Sequence, residues 1–358
     1  AGQFPTVTTA ALQFLTPFSV PVGGAEQAAL RLQSVGNPNL KPEVTTEVEM
    51  GGDVALWNGR VTLEATWFDK RSRDALFLNP LPPSFGTQQN GAPAQWQNLA
   101  QVRNRGFELA VEGKVVATRP VSLSVRVNGS TLDNRLVAAG GAQLAVTQGA
   151  RNVEGYPLFG LWARPIQRIA DANGDGIVVE TEVTVGDTAE YYGPTLPTRE
   201  GGLTTTLGLF GDRVRVNALL DYRGGFYNQW GFENQRCISG NCRAVNDPQA
   251  PLEDQAAAVA TTSARLGNTV WGYFEPNDFV RFRELSVSVQ LPARLLRAAR
   301  TRDASVTLSG RNIGLLWTRF PGVDPEINSS VANAGGGNND FFAAPPLRYW
   351  LLRVNLGL

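Results

Sequence analysis

Apolar and polar residues alternate with a period of two along much of this chain. Near its end Trp350, Leu352, Val354, Leu356 and Leu358 share one parity, while Tyr349, Leu351, Arg353, Asn355 and Gly357 take the other. A period of two describes a strand with two unlike faces. About nine to eleven such residues cross a bilayer when the strand is tilted. The pattern recurs upstream. Val48, Met50, Val54 and Leu56 oppose Glu47, Glu49 and Asp53, and Trp57-Asn58-Gly59-Arg60 supplies a tight turn with the Asn-Gly hairpin signal. Val61, Leu63, Ala65 and Trp67 return against Thr62, Glu64, Thr66, Phe68 and Lys70. Further alternating runs begin near Phe107, Val121, Leu203, Val214, Leu285 and Ser305, with a phase slip at Arg283-Glu284 that reads as a bulge. The total is about nine long strands. The strand from Val61 carries charge across the middle of one face, at Glu64 and Lys70, which a dry core rejects and a wet barrel lumen accepts.

Connections alternate between short and long. Turns fall near 57–60, 114–120 and 210–213, and long irregular stretches near 73–98, 133–198, 227–278 and 319–346. That asymmetry predicts a transmembrane antiparallel β-barrel with short periplasmic turns and long external loops. Parity counted back from the last strand puts residues 1–42 outside, as a loop region with little regular structure broken by proline. An odd strand count that starts in an outer loop does not close a bacterial barrel. The expectation is therefore an all-β, partial barrel: the C-terminal strands of a larger one. The alternative architecture is a soluble β-sandwich, whose strands are normally shorter.

Composition narrows the function. Lys+Arg and Asp+Glu are equal at 32 each in 358 residues, which argues against a nucleic-acid surface. Histidine is absent, which removes the commonest general base, the commonest transition-metal ligand and any Ser-His-Asp triad. No P-loop or strand–helix dinucleotide fingerprint occurs, so no enzyme is expected. No stretch approaches 18 uninterrupted apolar residues, which disfavours a helical span but not a barrel.

Three features carry candidate chemistry. Cys237 and Cys242 are the only cysteines and lie close together in a polar stretch. They read as a local disulfide in an oxidising compartment, or else as two unrelated thiols. Asp171-Ala172-Asn173-Gly174-Asp175-Gly176, continuing to Glu182, matches the D-x-N-x-D-G-x5-E calcium loop. Asp171, Asn173, Asp175 and Glu182 would supply side-chain oxygens, and Ile177 its carbonyl; the plainer reading is an Asx-rich turn without an ion. Aromatics in the long stretches, Trp96, Trp230, Phe232, Trp271 and Tyr273, could stack on a sugar or peptide, or simply pack the loops.

Several stretches then resemble one family. Asn37-Pro38-Asn39-Leu40-Lys41-Pro42-Glu43, Val102 to Leu109, the Asp171–Gly176 loop, Gly322-Val323-Asp324-Pro325-Glu326 and Pro345-Pro346-Leu347-Arg348 are similar to TonB-dependent outer-membrane receptors of the SusC/RagA branch. They occur in the family's order and make 43–358 the C-terminal part of the receptor barrel. The final residue departs from the family, which usually ends on an aromatic. The resemblance implies a plugged barrel of about 22 strands, residence in the outer membrane among its lipids, and energised uptake of a large nutrient such as a glycan or peptide. It also implies a TonB complex reached through the missing N-terminal part, and a SusD-like surface lipoprotein. A secreted or surface β-rich calcium-binding adhesin is the alternative function.

Overall fold

The computed structural model describes residues 14–81, 94–140, 149–292, 296, 301–327, 339–341 and 343–357. In chain order the first strands are β1 (Phe14–Val22), β2 (Ala25–Ser34), β3 (Val44–Leu56), β4 (Val61–Pro80), β5 (Ala94–Ala117) and β6 (Val121–Ala138). Short strands follow: β7 (Gly149–Arg151), β8 (Gly160–Ala163), β9 (Ile166–Ile169), β10 (Val183–Val185) and β11 (Glu190–Gly193). Then come β12 (Arg199–Leu209), β13 (Val214–Gly224), β14 (Tyr227–Gln229), β15 (Phe274–Pro276), β16 (Phe279–Gln290), β17 (Asp303–Thr318) and β18 (Tyr349–Gly357). Between β14 and β15 lie α1 (Gly231–Ile238), α2 (Arg243–Asn246) and α3 (Leu252–Thr262).

Nine long strands form one open antiparallel sheet in the order β18-β17-β16-β13-β12-β6-β5-β4-β3. Its register explains the alternation. Val54, Leu63, Val111, Val127 and Leu203 pair in one cross-strand row, and Met50, Trp67, Phe107 and Thr131 in another. Of these, Met50, Val54, Val127 and Phe107 stand exposed, Phe107 at 61%, and Leu63, Trp67, Val111 and Leu203 half-exposed on the same face. The opposite parity carries the ions: Glu47 pairs with Lys70, Arg126 with Glu64 and Glu112, and Arg223 with Glu200. A sheet with bare hydrocarbon on one side and ion pairs on the other is what lipid outside and water inside require.

The turn at 57–60 runs through left-handed Trp57, Asn58 and Gly59, and that at 210–213 through Phe210, Gly211 and Asp212. The bulge lies at the phase slip: Leu219 pairs with Glu284 and Leu220 with Phe282, so Arg283 is the extra residue.

Two expectations need correction. Residues 1–42 are not simply irregular, because β1 and β2 form a hairpin turned by left-handed Gly23 and Gly24. Pro17 and Pro21 are tolerated since a two-stranded hairpin has only edge strands. The stretch 73–98 is not a loop throughout. β4 continues to Pro80 and β5 starts at Ala94, past a bulge near Asp74, so the two strands rise as a long ribbon beyond the apolar band.

Candidate functional site

Chain between the long strands builds a body at the external end of the sheet. Its centre is a three-stranded sheet, β11-β8-β7. One face of that sheet is apolar: Leu161 and Ala163 pack on Phe274, with Tyr192, Tyr227 and Trp271 beside them. Tyr192 meets Trp271 edge-on at 4.9 Å and Phe274 at 5.2 Å. The other face carries Trp162, which packs with Tyr156 at 4.8 Å and Tyr191 at 5.5 Å, and Arg151, whose guanidinium sits 4.9 Å over the Trp162 ring. Gly160 leaves the room the Tyr191 ring occupies, since a Cβ there would approach its Cε2 to 2.8 Å. Helix α3 adds a second core, with Ala256 and Ala260 against Val178, Val183 and Leu266.

The sequence-selected aromatics divide within this body. Tyr273 is 3% exposed and Trp271 lies in the aromatic cluster, so both pack the loop core. Trp230 donates its backbone N–H to the Tyr273 carbonyl at 2.8 Å and precedes α1, whose Phe232 is 43% exposed. Trp96 stands apart on β5, opposite Leu78, and its carbonyl accepts from Asn37 Nδ2 at 2.9 Å. Cys237 and Cys242 are joined, with Cα atoms 4.7 Å apart, and the bridge is buried against Ala257, Ala258 and Tyr273.

The calcium-type loop closes on itself. Asp171 accepts from the amides of Gly174, Asp175 and Gly176, and Asp175 from that of Ile177. Asn173 Nδ2 donates to Asp175 at 2.7 Å. Buried Glu182 reaches back to the amides of Ala172 and Val179, one oxygen to each. Left-handed Gly174 and Gly176 permit the wrap. The motif residues therefore share one small loop in the required order. Among the described residues, though, the acidic and thiol groups whose ligand atoms converge at metal distance are Glu233 with the two disulfide-bonded cysteines, not Asp171, Asp175 and Glu182.

A second set of residues was not singled out as a unit by sequence reasoning. Arg281 is 3% exposed and donates to Asp324 at 2.5 Å. Its Nε lies 2.9 Å from Glu326, off the hydrogen-bond axis. Bulged Arg283 donates to both oxygens of Glu326 and to Asp221 at 2.7 Å. Burial pushes the Glu326 carboxyl up, but Arg283 and Arg281 together hold it below its ordinary value. Asn277 Nδ2 donates to the Pro325 carbonyl. The segment Gly322 to Ile327 is thus clamped to the inner face of β16. Farther on, Asp340 accepts from the Phe232 amide at the start of α1, which ties the last loop to the helical one.

An open sheet with a lipid face, an ionic inner face and a packed external body points to a receptor barrel, and comparison with known proteins agrees. Residues 13–313 match the family described as TonB dependent receptor-like, beta-barrel. This chain belongs to that family. It is 24% identical over 375 residues to TonB-dependent receptor P26 of Formosa agariphila, which covers 91% of this chain and 36% of that protein. TonB-dependent receptor P3 of the same organism is 23% identical, over 94% and 36%. The chain thus spans about a third of the length of these relatives. Among solved structures the RagAB peptide transporter superposes with a TM-score of 0.69 at 16% identity, covering 97% of this chain and 38% of that one. The RagAB peptide importer in its open-open state gives 0.66 at 17%, covering 98% and 38%. These likenesses show the barrel fold. The family consists of outer-membrane receptors rather than enzymes, and no observation favours the adhesin alternative.

Proposed function

We propose that the protein carrying this chain imports a large nutrient, a peptide or a glycan, across the outer membrane with energy delivered by a TonB complex. Supporting this reading is the pairing of an ionic inner wall with an external body that reaches the wall through the Arg281–Arg283 clamp. A ligand captured by that body would be handed to a wet, charged passage rather than to lipid. Trp230, Phe232 and Trp96 are the aromatics we assign to ligand contact, and a SusD-like lipoprotein is the partner that would seat on the loops. The loop from Asp171 to Glu182 would bind calcium through Asp171, Asn173, Asp175, Glu182 and the Ile177 carbonyl, bracing the loop body.

Uptake of labelled oligopeptides and oligosaccharides by cells with and without the intact protein tests the import reading. The expected result is accumulation of one class that vanishes when TonB is inactivated. Uptake that persists at full rate without TonB, or no loss of either class when the protein is deleted, would overturn it.

A further inference from the structure

The outward face of β4, β5 and β6 changes character just above the apolar band. The row Met50–Trp67–Phe107–Thr131 is followed by the row Val48–Asp69–Arg105–Asp133, and that by Thr46–Arg71–Arg103–Arg135. Residues two apart on a strand share a face, so these ionic rows continue the lipid-facing rows, not the lumen. Their end of the strands is the one that leads into the long external loops. Arg73, opposite Val44, extends the set by one more step. Five arginines thus meet two aspartates in a chain whose formal charge is zero.

The ion pairs order this collar without neutralising it. Asp69 accepts from Arg103 Nε at 3.0 Å and Nη2 at 2.5 Å, and from Arg71 at 3.3 Å; Asp133 accepts from Arg105 at 2.8 Å. Arg71 keeps 63% of its side chain exposed and Arg105 48%. Arg73 and Arg135 are exposed and make no ion pair among the described residues. Where the aromatic row meets the first ionic row, Trp67, Arg105, Phe107, Thr131 and Asp133 line a cavity of about 330 Å³. The surface is therefore apolar and aromatic below, cationic above, with a concavity at the seam.

We propose that this collar binds the phosphate groups of an outer-leaflet glycolipid whose acyl chains lie along the apolar rows. Guanidinium groups match phosphate oxygens in paired, charge-assisted hydrogen bonds. A transported solute meets the lumen or the loops, not this face; a headgroup anchored by acyl chains is held at this depth. The proposal rests on the direction of the faces and not on what the barrel transports, so it stands or falls separately from the import reading.

The test uses the intact protein purified from outer membranes and native mass spectrometry with bisphosphorylated lipid A as the probe. We expect retained lipid A, with binding weakened about tenfold or more in the Arg71→Gln, Arg103→Gln, Arg135→Gln triple variant. Dephosphorylated lipid A should bind the unsubstituted protein comparably weakly. Inorganic phosphate at millimolar concentration should not displace the lipid. Heat-modifiable gel mobility checks that the triple variant folds; should it fail, Arg135→Gln alone, which breaks no ion pair among the described residues, is read instead. Equal binding by the variant and the unsubstituted protein, equal binding of the dephosphorylated lipid, or full displacement by free phosphate would each overturn the proposal.

Discussion

Arg281 and Arg283 show how a single extra residue sets up a junction. The extra residue falls at Arg283, and here Arg281 and Arg283 both meet Glu326 while Arg283 also reaches Asp221. Glu326→Ala would leave Asp324 as the acidic partner of Arg281, and Arg283 with Asp221 and a long hydrogen bond to Asn312 at 3.4 Å. Removing one partner of a buried pair costs about 3–5 kcal/mol, so the segment 322–327 should detach first. The measurement is cleavage of this loop by an external protease at a temperature where the unsubstituted barrel resists; unchanged cleavage would refute the clamp. Glu275 gives a second test. Burial, and then the charge of Asp254, push its carboxyl up from 4.5 to about 7. A carboxyl raised in the folded state favours folding while it is protonated. Its benefit is complete below about pH 4.5, declines as pH rises and is gone above about 7. Proteolytic resistance of the loop body should fall across that window, and Glu275→Gln should flatten the fall. For the calcium loop, titration calorimetry should show heat with Ca²⁺ that Glu182→Gln removes. No heat in the unsubstituted protein would leave the loop as a self-bonded turn. These residues were unevenly legible in sequence. The phase slip at Arg283 and the Gly322–Glu326 motif were both visible, but a contact across about forty positions leaves no periodic trace.

At the level of elements, the apolar period of two located all nine long strands because lipid favours hydrocarbon at the outward positions within the apolar band. It under-measured them where that preference ends. β4 and β5 leave the apolar band after Trp67 and before Phe107, and beyond it the outward positions turn ionic, as Arg71 and Arg103 illustrate, while Ala75, Ala100 and Val102 pack a small core past the bulge near Asp74, so no clean alternation marks the strands there. The helices of the 227–278 stretch went unread for a different reason. α1 and α2 are short, and α3 is an alanine-rich segment whose buried residues, Ala256 to Ala258 and Ala260, surround the helix without a narrow stripe. Gly106 offers a test of strand packing. A Cβ there would overlap the Thr131 carbonyl oxygen on β6 and press on the Phe68 ring across the β4 side. Gly106→Val should therefore part β5 from β6 and reduce the heat-modifiable, folded fraction by at least half. Gly113→Val, on the same strand but with open space at its Cβ, should fold like the unsubstituted protein. Equal folding of both would show that the close approach at Gly106 does not constrain the sheet.

For the whole molecule the decisive feature is the pair of edges. β3 is hydrogen-bonded on one side to β4, β18 on one side to β17, and the sheet does not close between them. Both edge strands are apolar on the lipid face, through Val48, Met50 and Val54 on one and Trp350, Leu352 and Val354 on the other. In water a strand edge can be solvated; in hydrocarbon each unpaired amide and carbonyl costs several kcal/mol, so a row of them is not sustainable. The relatives, of which this chain spans 36%, are long enough to supply further strands between the two edges. Residues 14–357 refolded alone in lipid vesicles should then give no heat-modifiable monomer. They should instead associate edge to edge, visible as a ladder of oligomers after crosslinking. Co-refolded with the remaining strands of the full-length protein, the same residues should enter a single monomeric species. A stable, protease-resistant monomer from this chain alone would mean that β3 and β18 meet each other, and the sheet would have to be redrawn as a small closed barrel.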